Sequence, residues 1–138
     1  DEKLEVGYRW YDAHQVTPAF AFGHGLSYTT FAFSDVKATK SEVTVTVTNS
    51  GNLPGAEVAQ LYMGFPSAAG EPPQQLKGFK KTKILAKGEA TTITFLLNNR
   101  SFSTWDATMH AWVKAKGTFN VFVGSSSRDI RGTATIVM

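Results

Sequence analysis

The 138-residue sequence contains no cysteine. That excludes a disulfide framework, a thiolate zinc site and a thiol nucleophile. It leaves the compartment open, because secreted proteins also do without disulfides. Charge is sparse, with Asp, Glu, Lys and Arg together at 18%. No apolar run approaches the ~18–20 residues of a membrane span. The three histidines, His14, His24 and His110, show neither HExxH nor His-x-His spacing, so no transition-metal site is signalled. There is no P-loop, no dinucleotide fingerprint and no motif for binding nucleic acid. Gly124-Ser125-Ser126-Ser127 lacks the spacing of a serine elbow. The 11 carboxylates sit mostly beside turns and strand ends, as Glu42, Glu89 and Asp129 do. A facing pair of the kind that hydrolyses glycosides, ~5–9.5 Å apart, is not indicated. The sequence therefore assigns no catalytic residue, no metal and no cofactor.

What is present is apolar and aromatic. Hydrophobic residues reach 42%, aromatics 12%, and Phe alone occurs 10 times. This is the composition of a folded domain rather than a disordered chain. The dominant periodicity is two. Val43, Val45 and Val47 alternate with Thr44, Thr46 and Thr48; Ile93, Phe95 and Leu97 repeat the pattern, and so do Phe119, Val121 and Val123. Such alternation of β-branched and aromatic residues predicts half-buried strands. Ala56–Phe65 predicts a longer strand with Ala59, Leu61 and Met63 on one face and Val58 and Tyr62 on the other. Phe31–Thr39, Leu76–Leu85 and Thr133–Met138 are further strands, and Trp105 and Trp112 flank a hairpin over Ala107–His110. Turn signals at Asn49-Ser50-Gly51-Asn52, Lys87-Gly88, Lys116-Gly117 and Gly124–Arg128 separate them. Short strands with turns every ~8–12 residues predict an antiparallel all-β sandwich of about seven strands.

Two stretches break this rhythm. Gly64–Gln75 holds Pro66, Pro72 and Pro73 and reads as a long exposed loop. Residues 1–30 hold Tyr8, Trp10, Tyr11, Phe20, Phe22 and Tyr28 around Pro18, Gly23 and Gly25. That is too aromatic for a loose tail and predicts an extended arm that folds back on the sandwich or pairs with a second chain. The segment opens at Asp1 and reads like the interior of a longer protein. Within it, Gly23-His24-Gly25 predicts a tight turn with a hydrogen-bonded histidine.

Charge is unevenly placed. Residues 1–70 carry four Lys/Arg against seven Asp/Glu, and residues 71–138 carry ten against four, so the halves stand at −3 and +6. The excess concentrates in Lys77, Lys80, Lys81, Lys83 and Lys87. A lysine-rich stretch of this kind blunts a strand edge against pairing. Together with the exposed rings of Trp105 and Trp112, Lys77, Lys80, Lys81 and Lys83 are also candidates for binding a polymer, with rings stacking on sugars or phenols and lysines meeting carboxylates or phenolates.

The motifs Val6-Gly7-Tyr8-Arg9-Trp10-Tyr11-Asp12, Phe20-Ala21-Phe22-Gly23-His24-Gly25-Leu26-Ser27-Tyr28-Thr29, Val47-Thr48-Asn49-Ser50-Gly51, Glu57-Val58-Ala59-Gln60-Leu61-Tyr62, Leu76-Lys77-Gly78-Phe79 and Gly117–Ile130 run in order over nearly the whole chain. In this series the sequence resembles the C-terminal part of family 3 glycoside hydrolases, the β-glucosidase group. The resemblance implies a fibronectin type III-like (immunoglobulin-like) sandwich over 31–138, reached by an interdomain arm over 1–30 that comes from a preceding α/β sandwich domain. It implies a non-catalytic accessory domain, because the family's nucleophile and acid/base motifs lie in other domains. Its partners would be the catalytic domains of the same chain, contacted through Tyr8, Arg9, Trp10, Tyr11, Phe20, Phe22 and His24. The Gly64–Gln75 loop would reach toward the active-site entrance, as it does in some relatives. The alternative role is a module that holds the enzyme on plant polysaccharide or lignin. Parents of this type occur in secretions, periplasm and cytoplasm, with a secreted or periplasmic one favoured.

Overall fold

The computed structural model describes residues 3–138; Asp1 and Glu2, part of the arm as read from the sequence, lie outside the described residues. Among the described residues nine strands form in chain order. They are β1 (Phe31–Ala38), β2 (Glu42–Asn49), β3 (Val58–Gly64), β4 (Gln75–Lys81), β5 (Ala90–Leu96), β6 (Ser103–Asp106), β7 (Ala111–Lys114), β8 (Thr118–Gly124) and β9 (Ile130–Val137). Seven build a sandwich, with β1-β2-β5 in one sheet and β4-β3-β8-β9 in the other, and β6 and β7 form a separate hairpin. All pairings are antiparallel.

The alternation in the sequence sets the inner faces. Val43, Val45 and Val47 of β2 are fully buried and face Ala59, Leu61 and Met63 of β3 with Phe119, Val121 and Val123 of β8. Each of these valine, leucine, methionine and phenylalanine side chains contributes ~1.5–3 kcal/mol by leaving water. Phe119 is held between Phe65 and Phe102, with ring centroids 5.0 and 5.2 Å away in edge-to-face geometry, the arrangement ring quadrupoles prefer. The polar partners of the valines, Thr44, Thr46 and Thr48, face outward and are half-buried.

Three expectations are corrected. The Leu76–Leu85 strand ends at Lys81; beyond it only Leu85 pairs, in an isolated bridge with Gly55. The Gly64–Gln75 loop is not simply exposed. It turns through a 3-10 helix over Ser67–Ala69, buries Pro72 and hands Gln75 to β4. The arm is not extended throughout, because Tyr8–Ala13 forms a short helix, α1, entered through Gly7 at φ 64°. The lysine stretch lies where an edge needs it: β4 is an outer strand of its sheet, and Lys80 and Lys81 are exposed on it.

Candidate functional site

The outer face of the four-stranded sheet carries residues that a free sandwich would leave wet. Tyr62 is fully buried there, although it is not part of the core between the sheets. The arm covers it. The Tyr8 ring lies edge-on to Tyr62 at 6.1 Å and stacks on Phe22 at 4.4 Å. The Tyr8 hydroxyl accepts from the Leu76 amide on β4 at 2.8 Å. Burial pushes the Tyr62 phenol well above its ordinary pKa, with Tyr8 and Asp12 adding to the shift, so it stays a neutral donor. It donates to Gln60 Oε1 at 2.6 Å. The Gln60 amide in turn donates to the carbonyls of Gly23 (2.9 Å) and Ser125 (2.7 Å), tying the arm to the end of β8.

Gly23 is required at this contact. Its φ of 79° strains any other residue, and a Cβ would stand 2.1 Å from Gln60 Oε1, so a side chain there must push the Gln60 amide out of its bonds to Gly23 and Ser125.

A second tie lies one turn away. The Asp12 carboxylate, with its side chain 8% exposed, accepts from Arg128 Nε at 2.7 Å and from Gln74 Nε2 at 2.9 Å. Gln74 also donates to the Ser127 carbonyl, Arg128 to the Val16 carbonyl, and the Ser127 amide to the Phe22 carbonyl. A buried carboxylate held by a guanidinium and an amide is a charge-assisted clamp.

The end of the arm is fixed by Asn49, fully buried at the end of β2. Its Oδ1 accepts from Thr29 Oγ1 (2.8 Å) and the Gly51 amide (3.0 Å), and its Nδ2 donates to the carbonyls of Leu53 and Leu85 (both 2.8 Å).

The predicted contact residues thus divide. Tyr8 and Phe22 dock on the sandwich. Trp10 stacks on His14 at 4.4 Å and meets Tyr11 edge-on; both keep over a third of their surface exposed. Phe20 lies largely in solvent with the His24 ring stacked on it at 5.9 Å. The His24 backbone amide donates to the Ala21 carbonyl, but its ring makes no hydrogen bond among the described residues, contrary to the sequence expectation. Beyond it, Leu26 and Tyr28 are 96% and 97% exposed. One side of the arm is therefore committed to the sheet while the other presents an apolar strip.

The predicted polymer-binding residues divide as well. Trp105 and Trp112 are cross-strand partners in the β6–β7 hairpin, 5.4 Å apart and tilted by 55°. Its turn is closed by Asp106 Oδ1, which accepts from the amides of Thr108 and Met109. Of the four lysines, Lys77 lines the same cleft as the two tryptophans. Lys81 lines a different one, beside His24 and Glu57, and Lys83 pairs with Glu89 at 2.6 Å. Lys80 lines neither cleft.

The cleft beside His24 has a volume of about 480 Å³. Its carboxylates are engaged within the domain. Burial raises the Glu57 pKa, and its Oε1 accepts from the Val58 amide. The Asp129 carboxyl is held below the usual range by hydrogen bonds from Arg131 and, against a burial penalty, from Ser125. A depressed native pKa contributes stability above the unfolded value, about 3.9, and loses it as pH falls through the native one. Asp129→Asn should therefore flatten the decline of the urea midpoint below pH ~4. An unchanged acid slope would show that the Arg131 pair contributes nothing to it.

Comparison with known proteins fits this geometry. The family model of the fibronectin type III-like domain matches residues 57–127, which run from just before β3 to the loop after β8. The chain belongs to the fibronectin type III-like domain family. Probable beta-glucosidase D of Aspergillus niger is 42% identical over 161 aligned residues, covering 98% of this chain and 21% of that protein. Among solved structures, a beta-D-glucoside glucohydrolase from Trichoderma reesei superposes with a TM-score of 0.93 at 40% identity, over 99% of this chain and 22% of that one. A family 3 β-glucosidase from Bifidobacterium adolescentis gives 0.91 at 38% identity, over 99% and 21%. The chain spans about a fifth of the length of these relatives. Arm and sandwich both lie within the matched stretch.

Sequence reasoning missed Asp12, Gln60, Gln74, Asn49 and Arg128 as the residues that hold the arm, and Arg100, described below. Asp12, Asn49, Gln60 and Arg128 lie inside the motifs that carried the family resemblance, which was the available signal.

Proposed function

We propose that this chain is a non-catalytic accessory domain of a β-glucosidase that stabilises the catalytic domains of its parent by holding the interdomain connection rigid. The observation that carries this reading is the two-sided arm. Tyr8, Phe22, Gly23 and Asp12 are pinned to the sheet through Tyr62, Gln60, Gln74 and Arg128, while Phe20, Leu26 and Tyr28 face outward. An exposed apolar strip on a rigid support is what a neighbouring domain would cover. The relatives supply the activity of the parent, hydrolysis of β-glucosides.

The purified 138-residue chain should hydrolyse no aryl β-glucoside, and turnover by it would overturn the non-catalytic assignment. A full-length β-glucosidase carrying this chain should lose solubility or melt earlier once residues 31–138 are removed.

A further inference from the structure

Among the described residues, the hairpin cleft gathers more cationic than anionic side chains. It has a volume of about 560 Å³, within the roughly 300–1,000 Å³ of small-molecule sites. Arg9 enters from α1, Lys77 from β4 and Arg100 from a 3-10 helix over Asn99–Phe102, while Trp105 and Trp112 wall one side. Glu71 is the one acidic residue lining it among the described residues, so three cations there stand against one anion, a charge of +2. None of the three cations forms an ion pair among the described residues. Burial lowers the Lys77 pKa, and Arg9 and Arg100 push the same way against Glu71.

Arg100 is the informative member. Its guanidinium carbon lies 3.0 Å from the Trp112 ring centroid. Stacking on a ring orients a guanidinium without consuming its N–H donors. The Arg100 side chain makes no hydrogen bond and no ion pair among the described residues, so its donor fork is oriented and unused. One face of Trp112 is thereby taken, and the 55° tilt of Trp105 denies the pair a shared flat platform. A smooth polymer surface or a stack of phenolic rings wants such a platform. A pyranose ring, which meets one aromatic face at a time, does not need it.

We propose that this cleft binds a carboxylate-bearing sugar, a uronic acid unit of an acidic polysaccharide. The carboxylate is taken by Arg100 with support from Lys77 and Arg9, and the ring packs on Trp105. Planar bidentate pairing with carboxylate is the chemistry for which a pre-oriented arginine is suited.

The test titrates the 138-residue chain with a trimer of galacturonic acid, read by calorimetry and tryptophan fluorescence, beside cellotriose as the neutral sugar and guaiacol as the neutral phenol. The uronate trimer should bind, more weakly at high salt, and cellotriose and guaiacol should not. Arg100→Gln, at an exposed side chain where folding is not at stake, should weaken binding about tenfold, the loss of one charge-assisted contact. Trp105→Ala should do the same, and Lys83→Gln should leave binding unchanged. A circular dichroism melt of each variant separates lost contact from lost fold. Equal affinity for cellotriose, binding of guaiacol without the uronate, no binding at all, or an Arg100→Gln variant of unchanged affinity would each overturn the proposal.

Discussion

A chain that begins at Phe31 should melt on the order of 10 °C below the full sequence, the shift produced by roughly 2 kcal/mol in a domain of this size. The reason lies on the outer face of the four-stranded sheet. Without the arm, Tyr62 loses the Tyr8 ring, Gln60 loses the Gly23 carbonyl, and the amides of Leu76 and Ser127 lose their acceptors. Arg128 loses Asp12, and Asn49 loses Thr29. The bared face joins Tyr62 to the already exposed Phe79, its neighbour across Gln60 in the β3–β4 register. An apolar patch of that kind promotes association, so the shortened chain should also self-associate in sedimentation. Identical melting and a monomeric state would mean that the arm rests on the sheet without stabilising it.

Asn49→Ala should destabilise the domain by about 2–4 kcal/mol in urea unfolding, a large effect for one surface-distant polar residue. Four hydrogen bonds end on this side chain. Two of them serve the carbonyls of Leu53 and Leu85, and the Leu85 bond is buried. An alanine leaves the Leu53 carbonyl without its partner and the Leu85 carbonyl with the Gly55 amide alone, it strips the Thr29 hydroxyl and the Gly51 amide of their acceptor, and the desolvation penalty then falls on the folded state. Thr29→Val is the informative comparison. It removes one of the two bonds to Asn49 Oδ1 and leaves the Gly51 amide in place, so a loss near 1 kcal/mol is expected. If both substitutions cost the same, the buried amide does not link arm, turn and strand in the way its geometry indicates.

The sandwich was legible because its signal is local. Val43-Thr44-Val45-Thr46-Val47 states which face is buried within five residues, and the structure buries that face completely. The same holds for Ile93 to Leu97 and Phe119 to Val123. The hairpin was legible for a related reason, since Trp105 and Trp112 flank a turn whose closing carboxylate is two residues away. The arm's docking was not legible, because its bonds are remote in sequence. Arg128 reaches Asp12 across 116 residues and Gln60 reaches Gly23 across 37. Composition announced that the arm needed a surface, but no periodicity said which one.

Tyr62 shows the boundary between the two cases. Alternation placed it correctly on the face opposite Leu61. Its complete burial there follows from the arm, which alternation does not see. Asn49 was read as the first residue of a turn and is the last residue of β2; its side chain points inward because Gly51 beside it leaves room for Thr29, whose Oγ1 would be 2.2 Å from any Cβ at that glycine. Lysine spacing was the weakest guide. It grouped Lys77 with Lys80, Lys81 and Lys83, whereas the fold sends Lys77 to the tryptophan cleft and leaves Lys83 with Glu89. Arg100, isolated in sequence, went unnoticed because only the closed hairpin brings Trp112 beneath it.

As an accessory domain, the chain is proposed to serve its parent by stabilising it. Thermal inactivation of a full-length β-glucosidase carrying this chain tests that most directly, comparing the intact enzyme with one from which residues 31–138 are removed. A markedly shorter half-life at elevated temperature is expected, with the activity that survives at low temperature showing an unaltered KM for a soluble β-glucoside. An unchanged half-life would contradict it.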